Sequence, residues 1–128
     1  VGALIHKIIM ANKNGDKKIT VLGDGSPLRQ FTYTKDVAKV IARVVKEDIS
    51  ENINIGTPEN LSIAEMTRLA LIATDSQHLE IEYDTTQPNG QYRKDVSVEK
   101  LKNIFPDFEF TSFVDGIRET YNILKNNY

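Results

Sequence analysis

No cysteine occurs in the 128 residues, which excludes disulfides, thiol nucleophiles and zinc–thiolate sites together. That leaves the redox compartment open, with the cytoplasm as the default. Tryptophan is absent too, and no apolar run reaches the length of a membrane span. Histidine is confined to His6 and His78, which are far apart in sequence and belong to no acid pair. Packing or surface roles are expected of both, and no metal site. Charge of one sign is also lacking, since 16 Lys and Arg against 18 Asp and Glu give a net charge of -2. No bulk field therefore recruits nucleic acid or an anionic membrane, and any anion site has to be local. The apolar stretch from Val1 to Met10 is followed by no small-residue cleavage pattern, so it is not read as a signal peptide. With Val1 where an initiating Met would stand, the chain is expected to start inside a longer one.

What is present reads as one ordinary globular domain, 40% apolar and 27% charged. Leu4, Ile5, Ile8 and Ile9 sit at helical spacing and Asn12 to Gly15 supplies the stop. Residues 18–22 read as a short strand. Gly23-Asp24-Gly25 breaks it, Pro27 keeps the next segment extended, and Thr34 with Asp36 is read as N-cap and first-turn acid of a helix over about 35–47. Asn52 to Gly56 reads as a second strand, and Ser62-Ile63-Ala64-Glu65 is a capping-box pattern opening a helix. Leu79 to Asp84 alternates as a half-buried strand, and a long turn-rich stretch runs from Thr85 to Lys94. Ser97 is expected to cap a short helix ended by Pro106, Phe108 and Phe110 to form a brief strand, and Ser112 to cap a last helix. The fold class expected is mixed α/β, an α+β arrangement of about five helices and about four short strands.

Chemistry is scarce in this pattern. Gly23-Asp24-Gly25 is superficially similar to a dinucleotide fingerprint, but Leu28 holds the third glycine position and no helix opens there, so a plain turn is favoured. Tyr121 and Lys125 have the spacing of a tyrosine–lysine hydride-transfer pair, yet Tyr121 continues the apolar face of the last helix and is read as packing. No catalytic residue, cofactor loop or metal cluster is assigned. Cations on two loops remain: Arg29 on the first, Arg93 and Lys94 on the second. A guanidinium binds phosphate oxygens bidentately and a lysine adds a point charge, so two such loops folded together would grip a diphosphate. Composition alone favours three ordinary solvated cations.

Family resemblance shifts that balance. The run from Gly23 to Ala38 resembles the G-x-G-x-P-x-R-x-F-x-Y-x-x-D-x-A segment of extended short-chain dehydrogenase/reductases that act on nucleotide sugars, the NAD-dependent epimerase/dehydratase family. Asn54-Ile55-Gly56-Thr57 is similar to their N-[IV]-G-T strand end. Asp84 to Lys94 resembles the D-x-[ST]-K-P-D-G-x-P-R-K loop of the GDP-L-fucose synthase branch, and Ala3-Leu4-Ile5-His6-Lys7 resembles the A-L-I-R-[KR] helix opening the family's carboxy-terminal half. The likeness covers nearly the whole chain in one order. Lys7 stands for the commoner arginine, Gln87 for lysine and Tyr92 for proline.

That resemblance implies a single carboxy-terminal substrate-binding domain over residues 1–128, lacking the Rossmann half. An amino-terminal Rossmann domain would bind NADP and carry the hydride-transfer and acid/base residues, so no cofactor is expected in this part. It implies that Lys7, Arg29 and Lys94 lie where basic side chains contact a GDP diphosphate, that Leu22 stands where the family often has a tryptophan near the substrate, and that Arg93 belongs to the same loop. The expected partner is a nucleotide-diphosphate sugar. The parent is expected to be a cytoplasmic homodimer, and the isolated part inactive. Another nucleotide-sugar 4-epimerase or 4,6-dehydratase, and a non-catalytic binding module, are the alternatives.

Overall fold

Apolar residues at helical spacing build the first element. In the computed structural model, which describes residues 1–127, α1 spans Gly2–Asn14 and buries Ile5, Ile8, Ile9 and Ala11. Gly15 ends it in the left-handed conformation, φ 71°, and its N–H returns to the Ala11 carbonyl, a cap that glycine adopts without steric cost. The chain then runs through β1 (Lys18–Leu22), β2 (Leu28–Arg29), α2 (Thr34–Lys46), β3 (Leu61–Ser62) and α3 (Ile63–Ala73). After these come β4 (Glu80–Asp84), β5 (Arg93–Lys94), α4 (Glu99–Ile104) and α5 (Phe113–Leu124). The class is the mixed α/β one expected, with its helices and short strands alternating along the chain.

Two small sheets organise it. β1 pairs in parallel with β4, Lys18 opposite Glu80 and Leu22 opposite Asp84. Ile19 and Val21 are buried on one face of β1, and Ile19 joins the larger core, which α1, α3 and α5 complete with Ile5, Ile8, Ala70 and Ile117. A two-stranded sheet is marginal in water, and this backing of three helices is what holds it. In the second sheet β2 is central, antiparallel to β3 and parallel to β5. A smaller core of Val40, Leu101 and Phe105 joins α2 to the α4 segment.

Helix starts follow the capping chemistry closely at two places. Ser62 Oγ accepts from the Glu65 N–H at 3.1 Å while the Glu65 carboxylate accepts from the Ser62 N–H at 2.8 Å, a complete capping box. Ser112 Oγ accepts from the Asp115 N–H in α5. At α2 the N-cap is Tyr33 instead of Thr34, with no side-chain cap, and Asp36 has a different task. Its side chain is wholly buried, taking the Thr111 N–H at 2.7 Å, the Thr111 hydroxyl at 3.1 Å and the Lys39 ammonium at 3.0 Å. Burial pushes its carboxyl up, but those hydrogen bonds and the Lys39 charge outweigh that and hold it below the ordinary carboxylate range.

The strand pattern departs from expectation at three places. Asn52 to Gly56 forms no ladder among the described residues, and its Ile53 and Ile55 pack against the smaller core. Phe108 and Phe110 form no strand either: their rings meet edge to face at 5.0 Å and the following backbone N–H goes to Asp36. Leu28–Arg29, Leu61–Ser62 and Arg93–Lys94 are the strands that periodicity misses, because two residues carry no period.

The turn after β1 docks onto α3. Gly25 and Pro27 carbonyls accept the Ala64 and Ile63 N–H groups, at 2.9 and 3.0 Å, satisfying two donors that the start of a helix leaves open. Gly25 sits at φ 79°, and a Cβ there would lie 2.6 Å from Tyr83 Cε1 and 3.0 Å from Ala64 Cβ. Gly25→Ala is therefore expected to destabilise the fold by about 2 kcal/mol, through left-handed strain and overpacking together. Urea unfolding measures it, with Gly2→Ala as the control, since a Cβ at Gly2 meets nothing within 4 Å.

Candidate functional site

Three of the residues singled out in the sequence come together from three elements. Lys7 reaches from α1, Leu22 closes β1 and Arg29 closes β2, and all three line one groove of about 330 Å³. Leu4, Phe31, Ile63 and Met66 give it apolar walls, while Pro88 and Asn89 form the rim contributed by the loop between β4 and β5. Lys7 and Arg29 are the charged residues of the lining, and no acid lies among the lining residues. In a chain of net charge -2 this is a local excess of positive charge of the kind the composition requires of any anion site.

Each cationic head donates one hydrogen bond to a backbone carbonyl and keeps further N–H groups. Lys7 Nζ donates to the Thr20 carbonyl at 2.7 Å, which fixes the ammonium over β1 and leaves two of its N–H bonds for a ligand. Arg29 Nη1 donates to the adjacent Leu28 carbonyl at 2.7 Å, which turns the guanidinium back along its own strand. Leu22 is 60% exposed, a large apolar side chain at the groove edge.

Arg93 and Lys94 behave differently from each other. Lys94 is the register partner of Arg29 across β2 and β5, so the two share a sheet face, and both border a second hollow with Gln30 and Val96. Arg29 thus stands between the two hollows with Lys7 on one side and Lys94 on the other. Arg93 is paired with Leu28 and is not in the groove lining. Its Nε and Nη2 bond both oxygens of Asp95 at 2.8 Å, and this fork holds the Asp95 carboxyl below its ordinary range.

Loop geometry fixes the rim. Gly23 N–H donates to the Asp84 carbonyl at 2.9 Å, Ser26 N–H to Asp24 Oδ1 at 2.8 Å, and Asp24 N–H to Asn89 Oδ1 at 2.8 Å. Hydrogen bonds from Ser26 and then from the Asn89 side chain hold the Asp24 carboxyl below the usual range. Sequence reasoning passes over Asn89, whose one signal is the Asn-Gly turn pair. Gln30 is the other residue missed: it donates to the Thr57 carbonyl at 2.6 Å and accepts the Val96 N–H at 3.1 Å, tying three segments behind Arg29.

The remaining sequence candidates fall into packing. Tyr121 packs against the larger core and receives a hydrogen bond from the Asn12 side chain at 3.4 Å, while Lys125 Nζ lies 5.6 Å from its ring centroid. After Gly23-Asp24-Gly25 the chain continues into β2 and not into a helix, so the turn lacks the strand-to-helix order of a dinucleotide fingerprint. Among the described residues no helix is long and apolar enough to cross a membrane.

Fold and groove together define a small mixed α/β domain with a cationic, partly apolar groove. Residues 1–110 match the family described as GDP-mannose 4,6 dehydratase, and the chain belongs to that family. Over its whole length it is 37% identical to a GDP-L-fucose synthase of Dictyostelium discoideum, of which it covers 40%. The crystal structure of a GDP-L-fucose synthetase from Naegleria fowleri superposes with a TM-score of 0.87 at 30% identity, covering 98% of this chain and 39% of that one. The same enzyme bound to NADP gives 0.86 at 31% identity, with 98% and 39% covered. The chain spans about two-fifths of the length of these relatives.

Proposed function

We propose that this chain is the nucleotide-sugar-binding part of a GDP-L-fucose synthase-like, NADP-dependent epimerase/reductase, and that its groove takes the diphosphate of a GDP-sugar. The observation that carries the reading is the convergence of Lys7 and Arg29 on one acid-free, partly apolar groove. Two cations on rigid elements suit a diphosphate, and the apolar walls suit the ring it carries. Lys94, across Arg29, adds a third positive charge as the diphosphate settles. Arg93 holds the β5 strand end through Asp95 and supports the site from outside it.

Hydride transfer is not assigned to these residues. NADP, when bound, supplies or accepts the hydride, and its seat belongs to an amino-terminal Rossmann domain in this reading. The relatives' greater length supports such a domain, and so does the exposure of Ile41 and Val45, one turn apart on α2 at 51% and 75%. The residues of this chain bind and orient the substrate, and the isolated part is inactive because half of the crevice wall lies elsewhere.

Titration of the 15N-labelled chain with GDP, UDP and dTDP tests this. GDP is expected to bind weakly, more tightly than the other two, shifting the amides of Thr20, Leu22 and Arg29 and losing affinity as salt rises. Unshifted groove amides at saturating GDP would overturn the reading. Preference for UDP or dTDP would move the chain to another nucleotide-sugar epimerase or dehydratase, and NADP-dependent hydride transfer by the chain alone would refute its inactivity.

A further inference from the structure

Every residue from Thr85 to Ser97 is exposed, so the loop joining β4 to β5 has no buried side chain to hold it. Hydrogen bonds tie it to the neighbouring segments. At its start the Gly23 N–H is bonded to the Asp84 carbonyl at 2.9 Å, and at its end the Leu28 N–H to the Tyr92 carbonyl at 2.7 Å. Between those anchors the loop reaches the opposite turn through one side chain, Asn89, whose Oδ1 accepts the Asp24 N–H at 2.8 Å. The contact is closely fitted: a Cβ on Gly23 would lie 2.4 Å from Asn89 Oδ1. The next residue, Gly90 at φ 71°, carries the backbone past Arg29, whose Nη2 would lie 3.9 Å from a Cβ there. Pro88 and Asn89 are themselves rim residues of the groove.

We propose that Asn89 is a positioning residue: by latching the β4–β5 loop to the Gly23–Asp24 turn it fixes the wall of the Lys7–Arg29 groove and the place of the Arg29 guanidinium, and so sets the affinity for a nucleoside diphosphate. This rests on the groove being the diphosphate site. Without the latch the loop keeps its two ends and loses its middle, because solvent-exposed segments with few bonds open at low free-energy cost. Arg29 then faces a moving wall, and part of the binding free energy goes into ordering it.

The test uses the 15N-labelled chain in wild-type form, as Asn89→Ala, and as the exchange pair Asn89→Asp with Asp24→Asn. The exchange keeps an acceptor for the residue 24 N–H and a side-chain amide facing a carboxylate, with the two groups swapped. In Asn89→Ala the Asp24 amide is expected to exchange with solvent about tenfold faster while the Ile8 amide in α1 is unchanged, and GDP affinity to fall about three- to tenfold. The exchange pair is expected to restore both to within about twofold. Unchanged Asp24 protection in Asn89→Ala would overturn the latch. GDP affinity equal to wild type in Asn89→Ala, or a fall that the exchange pair leaves unrepaired, would overturn its positioning role. Absence of GDP binding by the wild type would overturn the groove reading and the nucleotide half of this proposal with it, while the Asp24 exchange still reports on the latch itself.

Discussion

Arg29→Met is expected to weaken GDP binding about ten- to hundredfold while leaving the fold intact. A charge-assisted hydrogen bond contributes roughly 1.5–3 kcal/mol, and one guanidinium is the central donor of the groove in this reading. Methionine keeps the length and apolar stem of the side chain, and the one bond lost within the protein is to the neighbouring Leu28 carbonyl. Arg29→Lys should recover only part of the loss, because a point charge cannot make the bidentate fork. Arg93→Met is the decisive comparison. Its guanidinium is spent on Asp95 and stands outside the groove lining, so GDP affinity should stay within about twofold. Equal losses at Arg29 and Arg93 in a nucleotide titration would sink this division of labour.

Asp36→Ala is expected to destabilise the protein by about 3 kcal/mol, with a fall in melting temperature on the order of 10 °C. The carboxylate is fully buried and satisfies the Thr111 N–H and hydroxyl, which join the end of the Phe108–Phe110 segment to the start of α2. Alanine leaves those donors without a partner. Asp36→Asn keeps an oxygen acceptor and should lose less. A pH series separates charge from shape. The folded carboxyl is held below its ordinary value of 3.8, so the stabilisation it gives is present above that value and is lost as pH falls through the folded one. Below both values the wild type and Asp36→Asn should converge. A constant gap between them down to the lowest pH would show that the charge contributes nothing.

Much of this arrangement is legible in the sequence wherever a period or a cap is long enough to read. The apolar face of α1, the Ser62–Glu65 box and the alternation of β4 each depend on neighbours a few residues away, and the structure has them where periodicity and capping chemistry put them. The sheet around Arg29 is not legible in that way. Its strands are two residues long and their pairing is decided by distant partners, Leu61 on one side and Lys94 on the other. Asn52–Gly56 shows the converse, a strand-like stretch that joins no ladder among the described residues. Within the candidate site, charge marks Arg29, Arg93 and Lys94 as residues of interest, and Asp95, two residues beyond Arg93, is the one local sign that the second arginine is already paired. Asn89 and Gln30 act by touching backbone far along the chain, and neither leaves a pattern nearby.

The parallel pairing of β1 with β4 also bears on how the chain is made. Thr20 meets Glu82 across 62 residues of sequence, so β1, with Ile19 and Val21 on its inner face, leaves the ribosome long before its partner exists. At about 5–20 residues per second that interval is roughly 3–12 seconds. Through it β1 waits without β4, and the nascent chain's exposure to mispairing is set by synthesis rate instead of by the stability of the finished domain.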